Sequence, residues 1–294
     1  MNDETVTSHP RVGCVFRPQI APELLAGTAR AADDAGLDEL WLWEDCFLAG
    51  GISAAAIALS NSERLTVGVG VLPVPMRNVA SAAMEIATLA RAFPGRIRIG
   101  LGHGVLEWMG WIGARVESPM TLLREYLTCL SALLRGERVT FDGRYVHLEG
   151  VALDWPPESA VEVLAAGVGP KTLRLTGELA DGTVISGGTT PDGLRAALGH
   201  ITDGAAGAQR SVVTYLLCTT GPTAADDLRA EAEFWKLDPS EDVGVFGDAA
   251  AIALGARRWV DAGADTVVLQ PTASADVEEF VRFVAAEVQP LLKR

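Results

Sequence analysis

Three glycine-rich segments give the first chemical signal in the sequence, because each follows a short run of apolar and β-branched residues. They are residues 100–104 (GLGHG), 167–171 (GVGPK) and 186–191 (SGGTTP). In the last two, Pro170 and Pro191 suit the first position of a helix, so free N–H groups at the helix N-termini are expected to face one end of the fold. Such groups hold phosphates. One such loop alone is equally typical of a tight turn, but three together favour a phosphorylated cofactor.

Several other chemistries lack the residues that they need. A Schiff-base enzyme needs a lysine inside the fold, and the one candidate, Lys171, stands at an expected helix start. No G-x-S-x-G nucleophile motif occurs, and GLGHG is not the dinucleotide-binding fingerprint. We expect no metal site, because the four histidines are isolated from one another: His9, His103, His147 and His200.

Eight short apolar runs alternate with longer segments of helical periodicity. Most are continuously apolar, which is typical of strands covered on both faces. Eight β-α units in 294 residues predict an α/β protein with a (β/α)8 TIM barrel, in one domain over residues 1–294; a doubly wound open sheet is the alternative. The runs span residues 12–16, 38–43, 65–71, 96–102, 161–166, 183–186, 212–218 and 266–270.

Two intervals between these runs are longer than the others. After the fourth run, a helical pattern over residues 119–135 precedes the segment 139–147, in which Asp142 and Gly143 predict the turn of a small β-hairpin. Before the last run, residues 238–248 separate two helical patterns, and we expect a mobile connection or lid there.

Composition excludes further classes of function. The chain has 24 Lys and Arg against 38 Asp and Glu, a net charge of −14, which disfavours nucleic acid and anionic membranes as partners. The acidic start lacks the pattern of a secretory signal, and no uncharged run reaches the length of a membrane span, so we expect a cytoplasmic protein. The scattered cysteines predict reduced thiols.

Several segments, in their order and spacing, resemble the bacterial luciferase-like superfamily. They are residues 65–78 (LTVGVGVLPVPMRN), 87–96 (ATLARAFPGR), 99–104 (IGLGHG) and 169–182 (GPKTLRLTGELADG). Two more, 43–51 (WEDCFLAGG) and 102–109 (GHGVLEWM), look most like the branch that uses the deazaflavin coenzyme F420. The resemblance implies a (β/α)8 barrel and hydride transfer between C5 of the deazaflavin and an organic substrate.

The resemblance also implies cofactor contacts. Asp45 matches an acidic position beside the deazaflavin ring. Gly70 and Val71 match a strand bulge where the family has a non-prolyl cis peptide. Further contacts with the ring, the side chain and the phosphate of the cofactor are expected from Gly102, His103, Gly104, Ala166, Gly167, Gly169, Pro170 and Lys171.

Two departures from the family pattern leave the proton donor or acceptor open. The position after Asp45 is often a histidine in the family and is Cys46 here. A glutamate follows the Gly-x-Gly turn in sugar-phosphate dehydrogenases of this branch, whereas this chain has Val105, with Glu107 two residues later. By chemistry alone, the candidates are Glu107, Cys46 and His103. Nearby, Glu44 is expected in solvent, and Arg77 either contacts an anion or lies at the surface.

The sequence therefore predicts an F420-dependent oxidoreductase acting on a small organic substrate with an activated C=C, C=N or carbonyl group. The alternative is an FMN-dependent luciferase-like monooxygenase with a reductase partner. A third hypothesis is a flavin-binding barrel that has lost catalysis. Expected partners are the small-molecule substrate, a separate F420-reducing enzyme that supplies reduced cofactor, and a second copy in a homodimer formed through the apolar helix at residues 80–93.

Overall fold

The computed structural model describes residues 9–238 and 240–294, so the acidic start of the chain lies outside the described residues. It contains eleven strands: β1 Arg11–Val15, β2 Glu39–Leu42, β3 Thr66–Pro73, β4 Ile97–Gly102, β5 Val139–Asp142, β6 His147–Val151, β7 Glu162–Ala166, β8 Gly182–Ile185, β9 Ser211–Thr219, β10 Gly244–Phe246 and β11 Thr266–Gln270.

Helices follow most of these strands: α1 Leu25–Ala35, α2 Gly51–Ser60, α3 Val79–Ala92, α4 Leu106–Trp111, α5 Pro119–Leu134, α6 Pro170–Leu179, α7 Pro191–Ala205, α8 Ala224–Phe234, α9 Ala249–Asp261, α10 Val277–Phe283 and α11 Gln289–Leu292. Side chains fix several starts, because Asn78, Ser118 and Asp248 each accept a hydrogen bond from a backbone N–H of the first turn.

Eight strands close a parallel barrel in the order β1-β2-β3-β4-β7-β8-β9-β11, and β11 pairs with β1. These are the eight predicted runs, so the predicted (β/α)8 barrel is confirmed. The extra strand β10 pairs with β9 outside the barrel. It lies in the segment predicted as a connection or lid, where buried Val243 and Val245 hold three residues against the sheet.

The predicted hairpin after β4 is confirmed by the antiparallel pair β5–β6. Its turn is tied to α5 by the Glu125 carboxylate, which accepts hydrogen bonds from the backbone N–H groups of Arg144, Tyr145 and Val146. Burial raises the pKa of Glu125, but these three donors outweigh it and leave the pKa below its usual value. The hairpin is thereby fixed to the barrel wall.

The barrel interior has a charged layer at the amino ends of the strands and an apolar layer above it. Arg98 donates to Glu39 at 3.0 Å and to Glu162 at 2.6 Å. The apolar layer is formed by buried residues of six strands: Val15, Trp41, Leu164, Val184, Val213, Tyr215 and Val268. This packing fills the lower barrel and leaves the carboxyl ends of the strands, where barrel sites lie, as the end at which a cavity can open.

Candidate functional site

Two connected cavities open at the carboxyl end of the barrel, with volumes of about 290 and 430 Å³. Both are lined by a set of residues that we call the shared floor: Trp43, Asp45, Gly70, Val71, Ala166, Val184 and Ser186. The first cavity continues into the Trp235 arm, made of Gly187, Tyr215, Leu217, Trp235, Leu237 and Gln270. The second continues into the α6 arm, made of Glu44, Pro73, Gly102, His103, Gly104, Val105, Trp108, Gly167, Val168, Gly169 and Thr172.

The bulge of β3 forms the centre of the shared floor. The register with β4 shifts between Val69 and Leu72, and the Gly70–Val71 peptide bond is cis, as the family resemblance implied. Tyr215 donates its hydroxyl hydrogen to the Gly70 carbonyl at 3.3 Å. Burial raises the pKa of Tyr215 well above its usual value, so its hydroxyl keeps its proton at neutral pH.

Asp45, in the loop between β2 and α2, places a carboxyl group on the shared floor. The indole N–H of Trp43 donates to Asp45 Oδ2 at 2.8 Å. Burial raises the pKa of Asp45, and the Trp43 hydrogen bond opposes this in part. Asp45 is therefore an acid whose proton can be held at a higher pH than usual, at a point that both cavities reach.

Glu44 and Arg77 form an ion pair beside this floor. Arg77 Nη1 donates to Glu44 Oε1 and Nη2 to Oε2, each at 2.7 Å, and the backbone N–H of Gly51 donates to Oε2 at 2.5 Å. The side chain of Glu44 is 4% exposed. The expectation of a solvated Glu44 was therefore wrong. Arg77 is engaged by that carboxylate, so its guanidinium is not open to an anionic ligand.

The N-terminus of α6 borders the α6 arm and lacks a side-chain cap. Its N-cap residue is Gly169, and Pro170 occupies the first helical position. In helices, the N–H groups of the first turn have no partner within the helix, so those of Lys171 and Thr172 are available there. At the start of α7, by contrast, the Thr190 hydroxyl accepts from Gly193 N–H. Of the two helices, α6 therefore has an N-terminus without a side-chain cap, and α7 is capped.

The residues predicted to bind cofactor cluster well. The two cavities are lined by Asp45, Gly70, Val71, Gly102, His103, Gly104, Ala166, Gly167 and Gly169. Pro170 and Lys171 lie next to the lining and do not belong to it, and the Lys171 side chain is exposed. Their predicted roles in binding stay predictions.

The three predicted proton-transfer residues separate in space. His103 lines the α6 arm, and its Nδ1 has no partner among the described residues. Burial lowers the pKa of His103, and a hydrogen bond to the Pro119 carbonyl opposes this in part. Glu107 is exposed in the first turn of α4. Cys46 lies outside both linings, with its Sγ 3.6 Å from Met76 Sδ. Burial and the charges of Glu44 and Asp45 raise the pKa of the Cys46 thiol.

Sequence reasoning missed the Trp235 arm. Its members come from the loop after β8, from β9, from the segment after α8 and from the end of β11, with no motif that joins them. The aromatic rings meet only in the folded chain: the centroids of Trp43 and Trp235 are 6.3 Å apart, and those of Trp43 and Tyr215 are 6.4 Å apart.

The described residues do not form two other kinds of feature. Within residues 9–238 and 240–294, none of the helices has both the length and the apolar character needed to cross a membrane. The side chains of the same residues form no group of three or more His, Cys, Asp or Glu suited to a metal ion.

Comparisons with known proteins give the family. Among curated relatives, the 5,10-methylenetetrahydromethanopterin reductase of Methanolobus tindarius is 29% identical over 198 residues, covering 67% of this chain and 60% of the relative. The F420-dependent glucose-6-phosphate dehydrogenase of Mycobacterium avium (strain 104) is 30% identical over 184 residues, covering 58% and 55%. In these alignments the chain spans little more than half the length of each relative.

The fold has close counterparts among solved structures. An F420-dependent secondary alcohol dehydrogenase, in complex with an F420-acetone adduct, superposes with a TM-score of 0.86 at 20% identity, over 98% of this chain and 100% of that chain. A family model described as luciferase-like monooxygenase matches residues 8–266. Because this match covers most of the sequence, the chain belongs to the luciferase-like monooxygenase family.

Proposed function

We propose that this protein is a coenzyme F420-dependent oxidoreductase that moves a hydride between C5 of the deazaflavin and a small organic substrate with an activated C=C, C=N or carbonyl group. The observation that carries the proposal is the branched cavity, in which one floor serves two arms of different chemistry. The names of the two curated relatives, a methylenetetrahydromethanopterin reductase and an F420-dependent dehydrogenase, support the same reaction class.

The residues of the floor and of the α6 arm fit such a cofactor. Gly70, Val71, Ala166 and Val184 offer a largely apolar surface to a flat ring. A Cβ at Gly169 would meet no atom within 4 Å, so there is open space directly before the free N–H groups of α6. Those N–H groups and the helix dipole suit a phosphate. Bound there, the deazaflavin would supply the hydride acceptor or donor.

The chain's own part in the reaction is to position the ring and to manage a proton. Asp45 is the acidic side chain of the shared floor, and its raised pKa lets it keep or accept a proton beside the reacting groups. His103 is held neutral by burial and can accept a hydrogen bond in the α6 arm. We therefore assign proton transfer to Asp45 ahead of Glu107 and Cys46, and expect reduced cofactor to come from a separate F420-reducing enzyme.

Titration of the purified apoprotein with F420 and with FMN, followed by fluorescence, tests the proposal. We expect F420 to bind at least about tenfold more tightly than FMN, a difference of about 1.4 kcal/mol. Preference for FMN would favour the monooxygenase alternative. Binding of the anionic F420 should not weaken at high salt, because salt screens the repulsion from a net charge of −14 and no Lys or Arg of the described residues lines the cavities.

A substitution at the start of α6 tests the phosphate position without harming the fold. Gly169 has φ −82° and ψ 153°, which any residue adopts, and Asp is a favoured N-cap. Gly169→Asp should leave stability equal or a few tenths of a kcal/mol higher, while its carboxylate occupies the phosphate position and lowers F420 affinity at least about tenfold. Thr190→Asp is the matched control, since it adds the same charge to the already capped α7. Equal F420 affinity in both variants would reject this phosphate site.

A further inference from the structure

The Trp235 arm differs from the α6 arm in that it lacks groups for a charged ligand. It is walled by two aromatic rings, Tyr215 and Trp235, together with Leu217 and Leu237. The Tyr215 hydroxyl and the Trp235 indole N–H donate to Gly70 and Glu231. The Gln270 amide can donate to a carbonyl oxygen of a ligand. Within the part of the chain that the structure describes, no Lys or Arg lines either cavity. A phosphate or carboxylate in this arm would lose its hydration without gaining a cationic partner, which is costly.

Arg17 is a buried cation beside this arm, and Glu231 pairs with it. The side chain is fully buried, and Nη1 donates to Glu231 Oε1 at 2.6 Å and to the Pro271 carbonyl at 3.1 Å. Glu231 also accepts from the indole N–H of Trp235 at 2.7 Å. The guanidinium therefore lies outside the lining and pairs with Glu231 through Nη1, while Nε and Nη2 have no partner among the described residues.

The same contact disfavours a cationic ligand. The guanidinium carbon of Arg17 lies 5.5 Å from the centre of the Trp235 ring, so one face of that ring already meets a positive charge. A second cation on the other face of Trp235 would gain less cation–π attraction, because Arg17 already uses the negative charge of that ring. Arg17 and Glu231 thus fix Trp235 as an apolar wall.

The rim of the mouth is apolar as well. The segments that directly follow β2, β4 and β7 carry exposed apolar side chains: Phe47, Leu48, Val105, Leu106 and Val168. Two of them, Val105 and Val168, also line the α6 arm. Exposed apolar groups at the edge of a cavity are typical of ligand-binding grooves.

We infer that the substrate of this protein is an uncharged, mainly apolar molecule about the size of one or two rings, with one acceptor group, held in the Trp235 arm against Trp43, Tyr215 and Trp235. The inference rests on the proposed function, because it takes the α6 arm to hold the cofactor. The dehydrogenase relative is named for glucose 6-phosphate, and the arm described here lacks the cations that such a phosphate needs.

Three probes of equal ring size test the charge preference: cyclohex-2-enone, a cyclohexenone carboxylate and a cyclohexenyl ammonium. Their binding is measured by saturable quenching of tryptophan fluorescence, with and without F420, and glucose 6-phosphate is titrated alongside. We expect the neutral enone to bind at least about tenfold more tightly than either charged probe. Equal or tighter binding of the carboxylate, the ammonium or glucose 6-phosphate would overturn the inference.

Trp235→Ala locates the binding site. It should weaken enone binding about tenfold or more and leave F420 affinity within about twofold, because Trp235 belongs to one arm only. Trp155→Ala is the matched control: Trp155 is 71% exposed, lies outside both cavities and also stacks with an arginine, Arg91. Equal enone binding by both variants would refute the placement in the Trp235 arm.

Different results would reject the neutral substrate and the proposed function. F420 binding combined with preference for an anionic probe would leave the proposed function intact and reject the neutral substrate. Lack of F420 binding, with the preference for the neutral enone retained, would reject the proposed function and leave the chemistry of the arm standing.

Discussion

The ion pair between Arg77 and Glu44 allows a sharp test of how burial controls the strength of an interaction in this protein. A second pair, Arg124 with Glu178, has the same bidentate geometry. Its two hydrogen bonds measure 2.6 and 2.7 Å, and both hydrogen bonds of the first pair measure 2.7 Å. The exposure differs: the side chains are 19% and 4% exposed for Arg77 and Glu44, and 48% and 45% for Arg124 and Glu178. The first pair also has further partners, because the Gly51 backbone N–H donates to Glu44 and the Glu85 carboxylate lies 3.4 Å from Arg77 Nε.

Arg77→Met should destabilise the fold by about 3 kcal/mol, the lower end of the range for breaking a buried pair, because Arg77 keeps some contact with water. Arg124→Met should cost less than about 1 kcal/mol, as is typical of exposed pairs. Double-mutant cycles with Glu44→Gln and Glu178→Gln, followed by equilibrium urea unfolding, should give coupling energies of about 2 kcal/mol and below 1 kcal/mol.

Of the two arginine substitutions, we expect only the one in the Arg77–Glu44 pair to affect cofactor binding. The backbone N–H of Glu44 donates to the Val71 carbonyl at 3.3 Å, and the next residue is Asp45, so the pair holds the loop against the shared floor. Arg77→Met should therefore weaken F420 binding, whereas Arg124→Met should leave it unchanged. Equal unfolding free energies for the two variants, or coupling below 1 kcal/mol in both cycles, would refute the reasoning.

Three further predictions concern acid stability, packing and assembly. Asp33 accepts hydrogen bonds from three backbone N–H groups of residues 63–65, which outweigh burial and lower its pKa. This stabilisation is present above the unfolded pKa of about 3.9 and is lost as pH falls through the folded pKa. In Asp33→Asn, the free energy of unfolding in urea should therefore depend less on pH between about pH 5 and 3. A Cβ at Gly102 would lie 2.6 Å from Val71 Cγ2, so Gly102→Ala should cost about 1–3 kcal/mol in unfolding and weaken F420 binding; unchanged affinity would argue against the shared floor. Met84 on α3 is 63% exposed, so Met84→Glu should halve the mass of the predicted homodimer in light scattering, and a monomeric wild type would contradict the prediction.

The fold was largely predictable because its signals are local. Each barrel strand is a short apolar run covered on both faces, and the Asp142–Gly143 turn marks the hairpin within a few residues. The missed strand β10 has only three residues, too few to show a pattern, and exists because it can pair with β9. The glycine loops of the α6 arm were also local signals, since they join a strand end to a helix start.

The Trp235 arm could not be predicted in the same way. Trp43 follows β2 and Trp235 follows α8, so they are far apart in sequence, and barrel closure brings their rings together. The roles of Glu44 and Arg77 likewise depended on a partner 33 positions away. Type and spacing identified both as polar residues near strand ends, but burial decided that they bind each other instead of solvent or a ligand.

The buried arginines of the barrel show why the number of cations in the sequence does not predict an anion site. Arg77 is engaged by Glu44, Arg17 by Glu231, and Arg98 by two glutamates at the base of the barrel. In a chain with this excess of acidic residues, each buried guanidinium has a carboxylate within reach, so positive side chains stabilise the scaffold and none of the described ones lines the cavities. An anion in the cavities must then rely on backbone N–H groups and neutral side chains, and the α6 arm adds an uncapped helix N-terminus. We therefore expect the two arms to sort their ligands by charge, an anionic cofactor at α6 and a neutral substrate against Trp235.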